Sequence, residues 1–313
     1  MLNYIALRVG SALPVAVLVA LIVFLLVRLT PGDPAAILAG ENASPEQLEA
    51  IRLSLGLDLP MHRQMIDWAG GILSGDFGTS IISQIPVVTM IRQRLEPTLS
   101  LTLITFALTI LVAIPLGVLA AWKHGTAIDR GVMVFSIIGF SVPVFVLGYT
   151  LIQIFSIQFG VLPVQGYRPI GEGLGPFLYR MVLPALTLTL AFTALIARMT
   201  RTSMLSVLGE DYIRTARAKG ATEPRVLFRH ALKNAFVPIV TILGNSFALL
   251  IGGVVVTETV FNLPGIGRLT VEAILARDYP VIQGVVLLMS FVYLGINLLV
   301  DIAYVVIDPR IRY

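Results

Sequence analysis

Chemistry at a protein site needs nucleophiles, acids, bases or ligands at matched spacings, and this 313-residue chain offers few such sets. It has three lysines, Lys123, Lys219 and Lys233, and none closes a Gly-rich loop ahead of Ser or Thr. The phosphate cradle that nucleotide hydrolysis requires is therefore missing. Asp76-Phe77-Gly78 matches a kinase metal-binding triplet, but no His-Arg-Asp loop accompanies it, so chance is the expected explanation. Neither Gly-x-Ser-x-Gly nor His-Glu-x-x-His occurs, there is no cysteine, and His62, His124 and His230 are scattered. These gaps argue against an enzyme, a thiolate or histidine metal site, or a cofactor bound by this chain.

Two sets remain. Asn297 and Asp301 stand four residues apart in an apolar stretch and so share one helix face. An ionisable group in such a stretch is costly, which makes the pair a candidate for a transport path, although Asp301 could instead reach water or a basic residue near the end of the stretch. The second set is the basic segment from Arg198 to Lys233. Within it Glu210 and Asp211 place acids at a helix start, and Tyr212–Lys219 runs on in helix formers to Gly220, a residue suited to the left-handed cap. Thr222 can then cap a second short helix with Glu223 and Pro224 in its first turn, followed by Val226, Leu227, His230, Ala231 and Asn234 at helical spacings.

The elements that must hold these residues follow from composition. With 57% apolar and 13% charged residues and a mean hydropathy of +0.90, the chain falls outside the soluble range and must be solvated mainly by lipid. A hydrocarbon core about 30 Å thick takes roughly 20 apolar residues per helix, and six segments qualify: Val9–Leu29, Leu99–Trp122, Gly131–Phe159, Met181–Ala197, Phe236–Thr257 and Val281–Ile307. The expected fold is all-α with six transmembrane helices. The first span is read as retained, because Arg28-Leu29-Thr30-Pro31 follows it in place of a cleavage site. The third is long enough to break around Ser141-Val142-Pro143, and the fourth is the shortest. The organisation is then residues 1–30 as a first span, 31–97 as an external cap with short amphipathic pieces such as Pro45–Leu55, 98–307 as a five-span core with its loop at 198–235, and 308–313 as a tail.

Charge sets the orientation. With the N-terminus inside, the inner segments hold 13 of the 22 basic residues against six of the 18 acidic ones, net +7, leaving −3 outside. The positive-inside rule then places both termini in the cytoplasm, and it accounts for the isoelectric point near 9.5 without nucleic acid. Arg28, Arg198 and Glu258 stand at span ends, where snorkelling is expected to suffice. Small residues four apart, Ala113, Gly117 and Ala121 in the second span and Gly244, Ala248 and Gly252 in the fifth, mark faces where helices approach closely.

The run Glu210-Asp211-Tyr212-Ile213-Arg214-Thr215-Ala216-Arg217-Ala218-Lys219-Gly220, followed by His230-Ala231-Leu232-Lys233-Asn234, resembles the coupling loop of ABC importer permeases of the dipeptide/oligopeptide family. That loop has the form Glu-Ala-Ala, three residues, Gly, nine residues, Ile-x-Leu-Pro; here Arg214 replaces the leading Glu and Lys233 the closing Pro. The similarity continues through Pro31-Gly32-Asp33-Pro34, Leu55-Gly56-Leu57-Asp58, Gly75-Asp76-Phe77-Gly78, Leu263-Pro264-Gly265-Ile266-Gly267-Arg268, Arg277-Asp278-Tyr279-Pro280-Val281-Ile282-Gln283 and Asp308-Pro309-Arg310-Ile311-Arg312-Tyr313. The resemblance implies a type I (MetI-like) importer permease in a bacterial inner membrane. Its implied partners are a homologous second permease, two cytoplasmic ATPase subunits that bind the ATP and Mg, and an extracytoplasmic binding protein. Tyr212, Arg214, Thr215, Ala216, Arg217, Lys219, Gly220, His230 and Leu232 would form the ATPase-coupling site, with Gly220 ending the docking helix, Ala216 allowing close approach, and Arg214, Arg217 and Lys219 adding charge. The implied cargo is a dipeptide, a longer peptide, glutathione or a nickel complex; a secondary transporter is the rival reading.

Overall fold

Lipid cannot hydrogen-bond to a backbone, so a chain this apolar must pair its own N–H and C=O groups within helices. The structure, a computed structural model, describes residues 2–29, 35, 44–54 and 56–307. Among these no strand forms, and one isolated bridge joins Thr79 to Pro86. The helices are α1 (Leu2–Leu29), α2 (Pro45–Ser54), α3 (Met61–Leu73), α4 (Val87–Trp122), α5 (Ala127–Ser141), α6 (Val144–Leu151, prolonged by a π-helical turn over Ile152–Gln158), α7 (Leu174–Leu208), α8 (Asp211–Ala218), α9 (Glu223–Val260), α10 (Ile266–Ala276) and α11 (Tyr279–Ile307).

The all-α expectation holds. Among the described residues α4, α7, α9 and α11 are long and apolar enough to cross a membrane, and α5 with α6 supplies a fifth crossing if that pair is one span. The pair bends by 104° at Val142-Pro143. Proline disfavours helix in the residue before it, which places the break where the sequence located it. The first expected span falls in α1, whose described apolar run, Gly10–Leu25, is shorter than a full span. The fourth span needs correction: it is no short segment but the 35-residue α7. Hydropathy ends where polar residues begin, whereas the backbone ladder runs on through them. For the same reason α4 starts at Val87 and takes in Arg92, Arg94 and Glu96 ahead of the expected Leu99. The amphipathic piece after Ser44 is helix α2, opened by a reciprocal cap in which the Ser44 amide donates to Gln47 Oε1 (3.0 Å) and the Gln47 amide to Ser44 Oγ (3.3 Å). The motifs Pro31–Pro34 and Asp308–Tyr313 lie outside the described residues.

The chain divides into two compact units. One comprises Met1–Ile5, Glu96–Arg268 and Gly295–Tyr313. Its apolar interior gathers Leu101, Met181, Leu188, Leu250, Val254 and Phe261 in one cluster, and Ala113, Ala197, Met204, Ile213, Val226, Ala231 and Ile239 in another. The α4 small-residue face packs within this unit, for a methyl group on Gly117 would lie 2.7 Å from the Ala197 carbonyl oxygen. The α9 face is split: Gly244 meets the Val300 side chain, while Gly252 is exposed with nothing near it.

Glu258 also departs from expectation. It does not snorkel but is fully buried. Its carboxylate accepts a hydrogen bond from Thr98 Oγ1 (2.5 Å) and one from the Arg268 amide (2.9 Å) in the first turn of α10, and the Ile266 amide donates to Thr98 Oγ1 (2.8 Å). The carboxylate thus caps a helix start whose amides would otherwise go unpaired. This arrangement accounts for the glycines of Leu263–Arg268, because a β-carbon on Gly265 would overlap the Glu258 carboxylate and one on Gly267 would lie 2.6 Å from the Val255 Cα.

The second unit comprises Ala6–Leu95 and Leu269–Leu294. Asp278, buried just ahead of α11, accepts from Ser80 Oγ (2.5 Å) and the Ile81 amide (3.1 Å) and so holds the 75–86 turns. In those turns Asp76 Oδ1 accepts from the Gly78 amide (2.8 Å), which gives the kinase-like triplet a local turn-forming role. Phe24 packs on Trp68, and Gln283 Nε2 donates to the Val23 carbonyl.

Replacing Gly265 by Ala should lower the thermal unfolding midpoint of the detergent-solubilised chain, at a cost of roughly 1–3 kcal/mol from overpacking. Gly252→Ala, in open space on a helix, should leave it unchanged or slightly raised. Equal midpoints for the two variants would refute the capping assignment.

Candidate functional site

The basic segment is shorter as a loop than its sequence suggests. Arg198–Leu208 completes α7, and everything from Glu223 belongs to α9, which runs unbroken through 38 residues and includes a π-helical turn at Val226–Ala231. The expected second short helix is therefore the first part of the fifth span, and only residues 209–222 connect α7 to α9. Thr222 is the extended residue ahead of α9, with Pro224 in the first turn as expected, and the Val226 amide donates to the Thr222 carbonyl (2.9 Å).

Within the connection α8 begins as the sequence indicates, with Glu210 at the cap position and Asp211 in the first turn. Its end is a complete Schellman motif: the Gly220 amide donates to the Arg217 carbonyl (2.9 Å) and the Ala221 amide to the Ala216 carbonyl (3.1 Å), with Gly220 at φ +79°. A β-carbon disfavours that conformation, so glycine is required by the turn itself, although the space around it is open.

One apolar side chain fixes the roll of α8. Ile213 is fully buried and joins Met204, Val226, Leu227 and Ala231 in the core, while its neighbours in the helix are exposed or half-buried. A polar clamp adds to it, since Asn234 Nδ2 donates both to the Tyr212 hydroxyl (2.7 Å) and to the His230 carbonyl (3.0 Å). With Ile213 turned inward, Tyr212, Thr215, Ala216 and Lys219 line a groove of about 380 Å³, completed by Gly220, Ala221, Arg225 and His230.

The nine coupling residues singled out from sequence thus separate into three groups. Tyr212, Thr215, Ala216, Lys219, Gly220 and His230 share the groove. Arg214 and Arg217 pair within the segment, Arg214 with Asp211 at 3.2 Å and Arg217 with Glu223 through Nε and Nη2 (2.8 and 3.4 Å). Both pairs are exposed and contribute little to stability, but the second links the end of α8 to the start of α9. Leu232 is half-buried against the apolar cluster. Asn297 and Asp301 share a face of α11 as expected, are half-buried, and each has an interaction partner.

Sequence reasoning missed Ile213, though it is the lone large aliphatic residue of α8 and could have been singled out on that ground. It also missed a charged cluster in the same unit. Asp129, almost fully buried at the start of α5, accepts from Arg201 Nε and Nη2 of α7 (2.5 and 2.8 Å) and from the Gly125 amide (2.9 Å), and His124 Nδ1 lies at 3.1 Å. The partners are 72 residues apart, so no local pattern announces the pair.

Two family models cover nearly the whole chain: binding-protein-dependent transport system inner membrane component over residues 113–313, and the N-terminal part of the same membrane component over residues 1–102. The chain belongs to this permease family. The permease is 54% identical over 310 residues to a probable peptide ABC transporter permease of Sinorhizobium fredii, covering 99% of each chain. It is 44% identical over 313 residues to the glutathione transport system permease GsiC of Salmonella choleraesuis, covering all of both. The inward-facing MetNI methionine ABC transporter shares its fold, with a TM-score of 0.57 at 18% identity over 70% of this chain and 96% of that one. The permease is accordingly a membrane-spanning transport component and not an enzyme.

Ile213→Ala should cost roughly 2–4 kcal/mol through the cavity it leaves, and amide hydrogen exchange over residues 211–218 should accelerate while α11 is unaffected. Exchange unchanged in α8 would show that Ile213 does not anchor it. Asp129→Ala takes from the half-buried Arg201 guanidinium its carboxylate partner and should cost roughly 1–3 kcal/mol, much of it recovered in the apolar double replacement Asp129→Leu with Arg201→Met; equal thermal losses in the single and double variants would contradict the pairing.

Proposed function

We propose that the permease forms half of the translocation pathway of an ATP-driven importer for peptides presented by an extracytoplasmic binding protein. A homologous permease forms the other half, and two cytoplasmic ATPase subunits bind the ATP and Mg. The observation that carries this reading is α8: a short helix rolled into place by Ile213, closed by a Schellman glycine and displaying a groove on its outer side. A solvated connecting loop would need none of these features. The family to which the chain belongs takes its name from dependence on a binding protein, and the peptide permease of Sinorhizobium fredii supports the cargo class.

In this reading the chain crosses the inner membrane six times, with α5 and α6 as one broken span, residues 31–97 as an external cap, and both termini in the cytoplasm. The net +7 of the inner segments supports that orientation. The groove residues together with Arg214, Arg217 and Leu232 form the coupling site. Because α8 is joined to α7 at Gly209 and tied to α9 through Arg217 and Glu223, displacement of α8 by an ATPase moves the ends of two long helices together. A partner shifts such an equilibrium only by binding one state better than the other. ATP-driven closure of the ATPases supplies that difference.

Gly220→Val places a β-branched residue at φ +79°. The complex should still assemble, but binding-protein-dependent uptake into proteoliposomes should fall by about tenfold or more while ATP hydrolysis continues, since the strain is local to the cap. Uptake at the native level would refute the coupling assignment. Glutathione is the second reading, favoured by the end-to-end match to GsiC. Stimulation of ATP hydrolysis by binding protein loaded with glutathione but not with dipeptides would select it.

A further inference from the structure

The start of α9 holds one residue more than an α-helical ladder admits. The Val226 amide donates to the Thr222 carbonyl, four residues back, but the Leu232 amide reaches the Leu227 carbonyl, five residues back, so the turn over Val226–Ala231 is π-helical. Such turns are rare and concentrate at functional sites. This one decides which side chains enter the core. Ala231, Ala235, Ile239 and Leu243, spaced by four, are buried in one apolar cluster together with Val226 and Leu227. Carried back from Ala235 at the α-helical step of about 100° per residue, the buried face takes in position 228, about 20° away, and leaves position 226 about 180° away on the opposite side. The structure has the reverse: Val226 is fully buried and Phe228 is 59% exposed.

A large aromatic side chain is thus kept out of the core in a helix whose own pattern offers it a place there, and the extra residue is what keeps it out. Moving that residue into the connection at 219–222 would restore the α-helical ladder. It would also turn the chain ahead of Val226 by about 100° around the axis of α9 and shift it by about 1.5 Å. What lies ahead is α8, whose Ile213 shares the apolar cluster with Val226 and whose Arg217 pairs with Glu223 in the first turn of α9. Close-packed helices settle in discrete arrangements and do not deform continuously, so the two registers are alternatives. Resting on the coupling role proposed above, we infer that this π-helical turn is a one-residue register switch, with Val226 in the core in one state and Phe228 in the other. Through it, displacement of α8 becomes rotation at the base of α9.

The chain has no cysteine, so Val226→Cys reports on that position alone. The variant is reacted with a maleimide in the full transporter in nanodiscs, without nucleotide and after trapping with ATP and vanadate, and labelling of this chain is followed by mass spectrometry. Without nucleotide position 226 should be protected, which also shows that the variant is folded; trapping should speed its labelling by about tenfold or more, as burial gives way to exposure. Adding Phe228→Ser, which leaves no aromatic side chain to take the vacated place, should remove most of that gain. An ATPase subunit that merely covered Phe228 could not expose position 226. Equal labelling of position 226 in the two states, whether slow or fast, would overturn the switch. A gain that persists with Phe228→Ser would show the turn unwinding without exchange and overturn it as well. In either case the coupling role stands if Gly220→Val still uncouples uptake from ATP hydrolysis, and falls if it does not.

Discussion

Backbone groups and charged side chains that leave water in this protein have to find partners inside the chain, and that constraint shapes the structure at all scales. For the backbone the answer is helix, carried to lengths of 35 to 38 residues in α7 and α9. For side chains it is most visible at three buried carboxylates. Glu258 is held by a hydroxyl and a helix-start amide, Asp278 by a hydroxyl and an amide, and Asp129 by a guanidinium, an amide and an imidazole. Each sits at or beside the start of a helix and joins segments distant in sequence. At Glu258 the carboxylate also satisfies an amide of a helix start, while Asp129 is paired with a cation.

The same arrangement explains sequence motifs that would otherwise be read as functional. Leu263–Arg268 is glycine-rich because the Glu258 carboxylate fills the space a β-carbon would take, and Arg277–Gln283 carries Asp278 to the turns around Ser80. Asp76 of the kinase-like triplet shapes its own turn. Gly220 differs from the Gly265 type in kind: nothing crowds it, and the requirement for glycine comes from backbone conformation alone. One glycine serves packing, the other a helix stop.

The segment between α7 and α9 combines the same devices. A helix of eight residues is too short to persist alone in water, so α8 depends on Ile213 inside, on the Tyr212–Asn234 hydrogen bond at one end, and on Arg217 with Glu223 at the other. Those attachments reach both α7 and α9. A short helix fastened in this way to two long ones is what the coupling role proposed above requires.

By itself the sequence determined the helical class, the break before Pro143, the start of α8, its glycine stop and the membership in the permease family, because each depends on local composition, on φ preferences or on ordered motifs. It did not determine where helices end, since hydropathy reports the lipid boundary while the backbone ladder continues past it; hence α7 and α9 absorbed most of what read as a loop. Nor did it show that Glu258 is buried, that Arg201 pairs with Asp129, or that Arg214 and Arg217 are spent on neighbouring acids while Lys219 and His230 face a groove. Those outcomes depend on which side chains distant in sequence meet, and on the roll of α8 set by one isoleucine, and only tertiary packing decides them.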